Sequence, residues 1–528
     1  MNIKKILNEN SISYQQVGSD LVTNCPFCEK TVMGNPIATF HIDQSYYRGN
    51  CNACSKIADW TEISEKLGIT NKSKIEPKEE KIKVVKKKQK PDFQKEEIEP
   101  VIPAERIKRL DKPERELSFK EWQEIINFNF PELLFSAETG LSIISQILIK
   151  EITNPFALVL VDVPSAGKTI AVNFFADIRE LAYPTDRFTP SSFVSNASNV
   201  KKSELKNIDL LPRIQYKLFI IRDLAPLFSK RDDDLNECLG ILTRVLDGEG
   251  LNTDSGIHGQ REYNGEYLFM ILAASTPIPP KVWKMMGNLG SRLFFLSLNT
   301  KDKSETELAS QLKNTAYKDK EKACRQATTN FLKTLWNKYP NGVIWEKEHD
   351  QHEEIIIISR CAMLLAKLRG VINVWKDSFG DLGSYDHTMP TIEKPDRINQ
   401  LFYNLCRGHA LVCGRNQIIK EDLRFIVELT IDSAPTIRAK LFRKLIEHNG
   451  VMTTSEVENA MNCSKPTALS EMEKLKILKV CHITQESHGA VGEPEKEIHL
   501  IDDFKWFLGE ECQKIRNNKT NGGSDLVN

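Results

Sequence analysis

Residues 156–181 read FALVLVDVPSAGKTIAVNFFADIREL. The run Phe156–Val161 is apolar throughout and has the character of a buried strand. Asp162 to Thr169 then bring proline, serine, glycine and lysine together, and the remainder has helical spacing. Strand, tight loop and helix in that order make a cradle for phosphates. In the loop Pro164–Gly167 the backbone N–H groups of Ser165, Ala166 and Gly167 face the anion, with Pro164 supplying no donor, while Lys168 reaches the β- and γ-phosphates and the Thr169 hydroxyl binds Mg²⁺. A GKT triplet alone is common in a chain of 528 residues, so the strand in front of it carries the argument. The implied ligands are ATP and Mg²⁺. One position departs from GxxxxGK[ST]: Asp162 stands where the first glycine belongs.

Working outward, three more apolar runs follow: Lys217–Ile221 (KLFII), Tyr267–Ala274 (YLFMILAA) and Leu293–Leu298 (LFFLSL). Short apolar strands separated by helical segments predict an α/β fold with a mostly parallel sheet covered on both faces. Each run ends or begins in a residue with a use. KLFIIRD ends in Asp223, placed to hold the hydration shell of Mg²⁺. YLFMILAAST ends in Ser275 and Thr276, polar tips that would orient an attacking water. Arg292 precedes LFFLSL, where in a ring it would project into a neighbour's site and neutralise charge on the transferred phosphoryl group. Taken singly these are an edge aspartate, a capping serine and a surface arginine; their order resembles that of AAA+ ATPases, and the roles just given are what that resemblance implies. No glutamate follows Asp223, since Leu224 is next. Either Asp223 serves as the base, or Glu237 or Glu249 approaches in space, or hydrolysis is weak.

Lysine plus arginine (72) equals aspartate plus glutamate (72), which excludes a uniformly basic nucleic-acid coat and an acidic tail protein. Hydrophobic residues at 40% supply real cores. No apolar stretch is long enough to span a membrane, and MNIKKILNENSISYQQVG has no secretory character, so a cytoplasmic protein without membrane contact is expected. Lys72–Lys90 holds nine lysines against three glutamates and no aromatic, which reads as a flexible linker. The expected organisation is a small module over 1–70, a linker over 71–114, an ATPase core over 115–300, a helical lid over 301–434, a further small module over 435–503 and a tail over 504–528.

Among twelve cysteines, four pair as Cys25-Pro-Phe-Cys28 and Cys51-Asn-Ala-Cys54, with 22 residues between the pairs. Two such knuckles supply four thiolates for a closed tetrahedral Zn²⁺ site, and the metal replaces a core that so small a module cannot build. His41 in TFHID reads as a face residue of a strand, and Phe40 as a core residue.

At the other end, PTIRAKLFRKLIEH predicts a helix with Ile437, Leu441 and Leu445 inward. Thr454 then caps SEVENAM, and Ser464 caps KPTALSEMEKLKIL, with Pro466 in its first turn. VCHIT and KEIHLI close a hairpin. Helix, helix-turn-helix and wing make a winged-helix pattern, whose second helix offers Lys465, Thr467, Ser470 and Lys474 to DNA.

These motifs resemble known families in two places. NCPFC, PIATFHID and QSYYRGNCNAC are similar to the primase-type zinc ribbon of bacterial and phage primases and primase-helicases, although SKIAD follows Cys54 where a glycine-rich segment ending in aspartate is usual. That resemblance implies contact with single-stranded DNA, for which Phe40, Tyr46 and Tyr47 with Arg48 offer stacking and charge, Phe40 reading more readily as core. The layout over 115–500 resembles minichromosome maintenance (MCM) helicases of the AAA+ class, as found in phages and integrated elements. It implies a homo-hexamer that moves on DNA, with a hairpin near Asp254–Gln260 lining the channel and His258 and Arg261 on phosphates; no lysine sits at that tip. It also implies that Arg397, in KPDRINQ, senses nucleotide, and that replication partners such as a primase are engaged. Two other functions stay open: an initiator or helicase-loading switch with slow hydrolysis, and a non-enzymatic DNA-binding regulator, against which Lys168 and Arg292 argue.

Overall fold

The structure is a computed structural model. It describes residues 105–197, 200, 202–256, 258–290, 292–298, 300, 302–313, 316–376, 385–486 and 495–517, and within the first part of the chain 3–10, 12–17, 20–24, 26–27, 31–32, 35–36, 39–43, 48–51, 57–67 and 69. The chain divides into two units, Met1–Glu99 and Pro100–Asn528.

The first unit contains a five-stranded antiparallel sheet in the order Gln15–Val17, Asp20–Asn24, Thr39–Asp43, Arg48–Cys51 and Ile57–Asp59. Helices Ile3–Glu9 and Trp60–Lys66 accompany it, around a small core of Ile3, Leu7, Leu21, Phe40, Ile42, Ala58 and Ile63. Phe40 is fully buried there, as expected for a core residue, and His41 is half-buried on the same strand. Cys25, Cys28, Cys54, Tyr46 and Tyr47 lie outside the described residues. Cys51 ends the strand Arg48–Cys51, opposite Phe40 in the register.

The second unit is built on a five-stranded, wholly parallel sheet. Its strands in chain order are β1 (Ala157–Val161), β2 (Ala182–Thr185), β3 (Leu218–Ile221), β6 (Met270–Ser275) and β7 (Leu293–Ser297); β4 (Gly250–Ser255) and β5 (Gly259–Asn264) form a separate antiparallel hairpin between them. Across the sheet the order is β7-β1-β6-β3-β2. Alternate side chains enter two different cores, which is why the runs are apolar at every position. Leu158, Leu160, Ile220, Leu272 and Phe294 face one side, and Ala157, Val159, Phe219, Ile271 and Phe295 face the other. Four strands were legible as apolar runs. The edge strand AYPT was not, because it is short and carries Pro184, which an edge tolerates.

Around the sheet lie α1 (Phe119–Asn129), α2 (Leu134–Ser145), the short α3 (Lys168–Asn173), α4 (Asp232–Val245) and α5 (Pro280–Leu289). The expected long helix after Lys168 stops at Asn173. Then come α6 (Tyr317–Lys338), α7 (His352–Leu368), a two-stranded hairpin β8 (Val374–Lys376) and β9 (Tyr385–His387), α8 (Asp396–Val412) and α9 (Arg424–Asp432). Helix α8 presses on α2 so closely that a Cβ on Gly408 would lie 2.0 Å from the Ser142 carbonyl oxygen. A single hydrophobic cluster runs from Ile107 through α2, one sheet face and α6–α9 to Ile515.

The final module has α10 (Thr436–Glu447), β10 (Val451–Thr453), α11 (Thr454–Met461), α12 (Lys465–Ile477), β11 (Cys481–Glu486) and β12 (Glu495–Leu500), with sheet order β10-β12-β11. Leu441 and Leu445 are buried, but Ile437 is half-exposed. The cap of α11 is Thr453, whose hydroxyl accepts from the Glu456 N–H while Glu456 returns a bond. Thr454 instead donates to the Lys496 carbonyl.

Two boundaries move. Arg106 donates to the carbonyls of Ile147, Ile149, Lys150 and Ile152 and pairs with Glu266, so packed chain begins inside the stretch read as linker. At the other end Phe504, Phe507, Cys512 and Ile515 are buried, so residues 504–517 belong to the fold and not to a tail.

Candidate functional site at the two edges of the sheet

All five strands point the same way, so the sheet has one carboxyl edge and one amino edge. The phosphate loop leaves β1 at the carboxyl edge. Ser165 (φ 68°) and Gly167 (φ 88°) adopt left-handed conformations there, the kind of turn from which backbone N–H groups can form an anion-binding concavity. The Lys168 ammonium donates to the carbonyl oxygens of Asp162 (2.8 Å) and Val163 (2.5 Å). Desolvation lowers its pKa below the usual lysine value, and the charges of Asp162 and Asp223 oppose that. Pro164, Ser165 and Thr169 are exposed, Ala166 and Gly167 half-buried.

Asp162 explains its own departure from the motif. One carboxylate oxygen accepts from the Val163 N–H and the other from the backbone N–H and hydroxyl of Thr300, just beyond β7. A glycine gives the loop freedom; here a side chain ties it to the neighbouring strand end instead.

Asp223 lies just beyond β3 on the same edge, exposed, with its carboxylate accepting from the Ala225 N–H. Ser275 ends β6 directly beside Val161 in the register. Its hydroxyl is buried and has no hydrogen-bond partner. An orphaned buried hydroxyl costs free energy unless something else completes it, and this one sits between the loop and Asp223. Thr276 is half-buried in the following turn. Donors, carboxylate and orphan hydroxyl together fit a nucleotide with its magnesium ion. A cavity of about 490 Å³ that sequence reasoning missed opens beside Asp223; Tyr183, Phe188 and Phe219 line it, with Arg187, Arg213 and Lys230.

Arg292 lies at the opposite edge. It precedes Leu293, which is level with Ala157 at the start of β1, so a strand of roughly 16 Å at ~3.3 Å per residue separates it from the loop. Its Nε and Nη2 donate to Asp247 Oδ1 at 3.1 and 3.0 Å, and its Nη1 to the Gly290 carbonyl at 2.5 Å. Arg397, at the start of α8, reaches the same Asp247 oxygen at 3.4 Å. Asp247 belongs to the turn after α4, which is wedged under the entry to β1: a Cβ on Gly248 would lie 2.3 Å from the Thr153 carbonyl. Glu249 pairs with Arg244 at 3.1 Å in this same turn. It is therefore removed as a base for the loop of its own chain. Glu237 is exposed on α4.

Two of the expected DNA contacts are displaced. The hairpin forms as expected, but Arg261 is buried in an ion pair with Asp209, where Tyr263 also donates. Burial and the Asp209 charge together raise the Tyr263 pKa. Arg261 is thus a structural fastener for the hairpin, not a tip residue. His258 Nε2 lies 2.9 Å from the Ala197 carbonyl. On α12, Lys465 and Thr467 are exposed and Ser470 is half-buried. Lys474 is spent within the helix, paired with Glu471 at 2.5 Å.

Among the described residues one cluster has metal-ligand types, His409, Cys413 and Asp422. The Asp422 carboxylate already takes both Arg415 nitrogens (2.7 and 2.8 Å), the Ile419 N–H (2.8 Å) and His409 Nδ1 (2.5 Å). With its lone pairs filled, it is a saturated ion network and not a metal site.

No protein-family model matches this chain, and no curated protein matches it at a significant level.

Proposed function

We propose that the chain is an ATP-driven motor of the AAA+ class working on DNA, a replicative helicase of a mobile genetic element similar to MCM proteins and assembled as a homo-hexamer. The observation that carries this reading is the split between the two sheet edges. Loop, Asp223 and Ser275 stand on one edge; Arg292 and Arg397 stand together on the other, too far from their own loop to serve it. Such a chain has half a site at each edge, and a neighbour in a ring supplies the missing half. The bound nucleotide's Mg²⁺ would draw charge off the phosphates. With the nucleotide bound, Lys168 would turn from the loop carbonyls to the phosphates, Thr169 and Asp223 would hold the metal, and the Ser275 hydroxyl, with Thr276 next to it, would orient the attacking water. Arg292 and Arg397 of the neighbour stabilise charge on the transferred group.

The final module, read as a winged helix, and the first unit, read as a zinc ribbon holding Zn²⁺ through Cys25, Cys28, Cys51 and Cys54, would bring DNA to the ring. Metal analysis of the full chain should find one zinc, lost in Cys51→Ser. The main test is ATP turnover with and without single-stranded and forked DNA. Stimulation by DNA that disappears in Lys168→Ala supports the motor. ATP binding with no DNA-stimulated turnover would replace it by the loader or initiator switch. The residue after Asp223 favours that second reading, because it is Leu224 and Glu249 lies at the far edge.

A further inference from the structure

Asp247 is the centre of the amino-edge cluster, and nothing said so far requires a carboxylate there. Its Oδ1 accepts both Nε and Nη2 of Arg292 and lies 3.4 Å from Arg397, while Oδ2 lies 3.4 Å from Arg244. One carboxylate thus serves three guanidiniums. Glu249 relieves Arg244 (3.1 Å), and Glu393, the other acid near Arg292 and Arg397, is engaged by Arg369 at 3.7 Å. The edge of Arg292 that grips Asp247 is its Nε–Nη2 side, the pair of donors that takes two oxygens of a phosphate. Meanwhile the Arg292 side chain is only 10% exposed and that of Arg397 is 46% exposed, so the first is withdrawn and the second already faces solvent.

We propose that Asp247 is an exchangeable counter-ion. It occupies the place of a phosphate between Arg292 and Arg397, holds both arginines together by offsetting part of their charge, and is displaced when a polyphosphate anion enters. It is a positioning residue for the trans-acting pair, and the proposal rests on the reading of Arg292 and Arg397 given above. Exchange of carboxylate for polyphosphate costs little, since a guanidinium loses one oxyanion partner and gains another. A bare arginine pair at this spacing would instead repel, which is why a chain outside its ring needs the acid.

The test titrates inorganic pyrophosphate into the full chain at low ionic strength, in a Lys168→Ala background that removes the loop's ammonium and is common to every variant compared. Asp247→Asn should tighten pyrophosphate binding about tenfold, adding Arg292→Ala should cancel the gain, and Asp247→Glu should keep the parent affinity. Asp247→Ser reports the same if the asparagine variant fails to fold. Unchanged affinity in both neutral variants, or a gain that survives Arg292→Ala, overturns the proposal. The outcome is separable from the shared-site reading, which is tested by mixing Lys168→Ala with Arg292→Ala. Recovered turnover with a flat titration leaves the ring and removes the counter-ion; a positive titration without recovery does the reverse.

Discussion

The two edges of the parallel sheet are polar in opposite ways. At the carboxyl edge groups are left wanting: the Ser275 hydroxyl has no partner, and Lys168 makes do with two backbone carbonyls. At the amino edge the described arginines have an acidic partner, because Asp247 gathers Arg292, Arg397 and Arg244. An edge with unmet hydrogen-bond capacity is prepared for a ligand that brings its own oxygens. An edge with satisfied cations is prepared to give them up only to another anion. On the proposed shared-site reading, a strongly bonded arginine and an orphan hydroxyl are parts of one reaction.

The sharpest break in that contrast is Lys168→Ala, which should bring ATP turnover below detection while leaving the thermal transition in place, since the ammonium bonds only to two carbonyls of its own loop. Next comes Arg292→Ala. A trans arginine is worth roughly 10³–10⁵ in turnover, so hydrolysis should nearly cease while nucleotide binding persists, and Arg292→Lys should rescue poorly for want of a planar fork. Partial recovery of turnover on mixing the two variants would join the edges; none, with co-assembly confirmed, would leave them unconnected.

The third prediction asks whether all buried arginines here are alike. Asp209→Asn strands Arg261 without a counter-charge where both side chains are almost fully buried, and should cost about 3–5 kcal/mol in denaturant unfolding. Arg292→Ala should cost far less, because its partner Asp247 reaches solvent. Equal losses would mean that Arg292 is a fastener too. Ser275→Ala is gentler. Removing a hydroxyl with no partner should leave stability unchanged or slightly raised, yet lower turnover by up to about tenfold, the worth of a neutral hydrogen bond to the attacking water. Lost stability would show that the hydroxyl is already satisfied.

The smallest effect belongs to pH. Burial opposes the charging of His409, but Cys413 and Asp422 outweigh it and hold its pKa at about 9, against 6.5 for the free side chain. A histidine raised on folding stabilises fully below the unfolded value and loses that contribution as pH climbs through the folded one. The melting temperature should therefore sag between pH 6.5 and about 9, and His409→Gln should flatten that slope.

Much of the carboxyl edge was legible in the sequence because its parts are local: a strand, a GKT turn, an aspartate two residues past KLFII. The strand ends do the positioning, and strands announce themselves as apolar runs. The amino edge was half legible. Arg292 and Arg397 stood out by motif order, but Asp247 did not, since a carboxylate after DLNECLGILTRVL looks like any helix-end acid. Pairing across 45 or 150 positions leaves no periodicity to read. For the same reason Arg261 read as a tip cation, although Asp209, which buries it, lies 52 positions earlier in an unremarkable polar stretch.

The contact of Gly408 with the Ser142 carbonyl has a consequence for how the second unit comes apart. Two helices that close, inside one core running from Ile107 to Ile515, leave no hinge among the described residues at which 301–434 could swing as a flap. Unfolding of this unit should be one cooperative event, with amide exchange in α2 and α8 limited by the same global opening. Brief proteolysis should cut before Arg106 and release a single large fragment, with no separable lid.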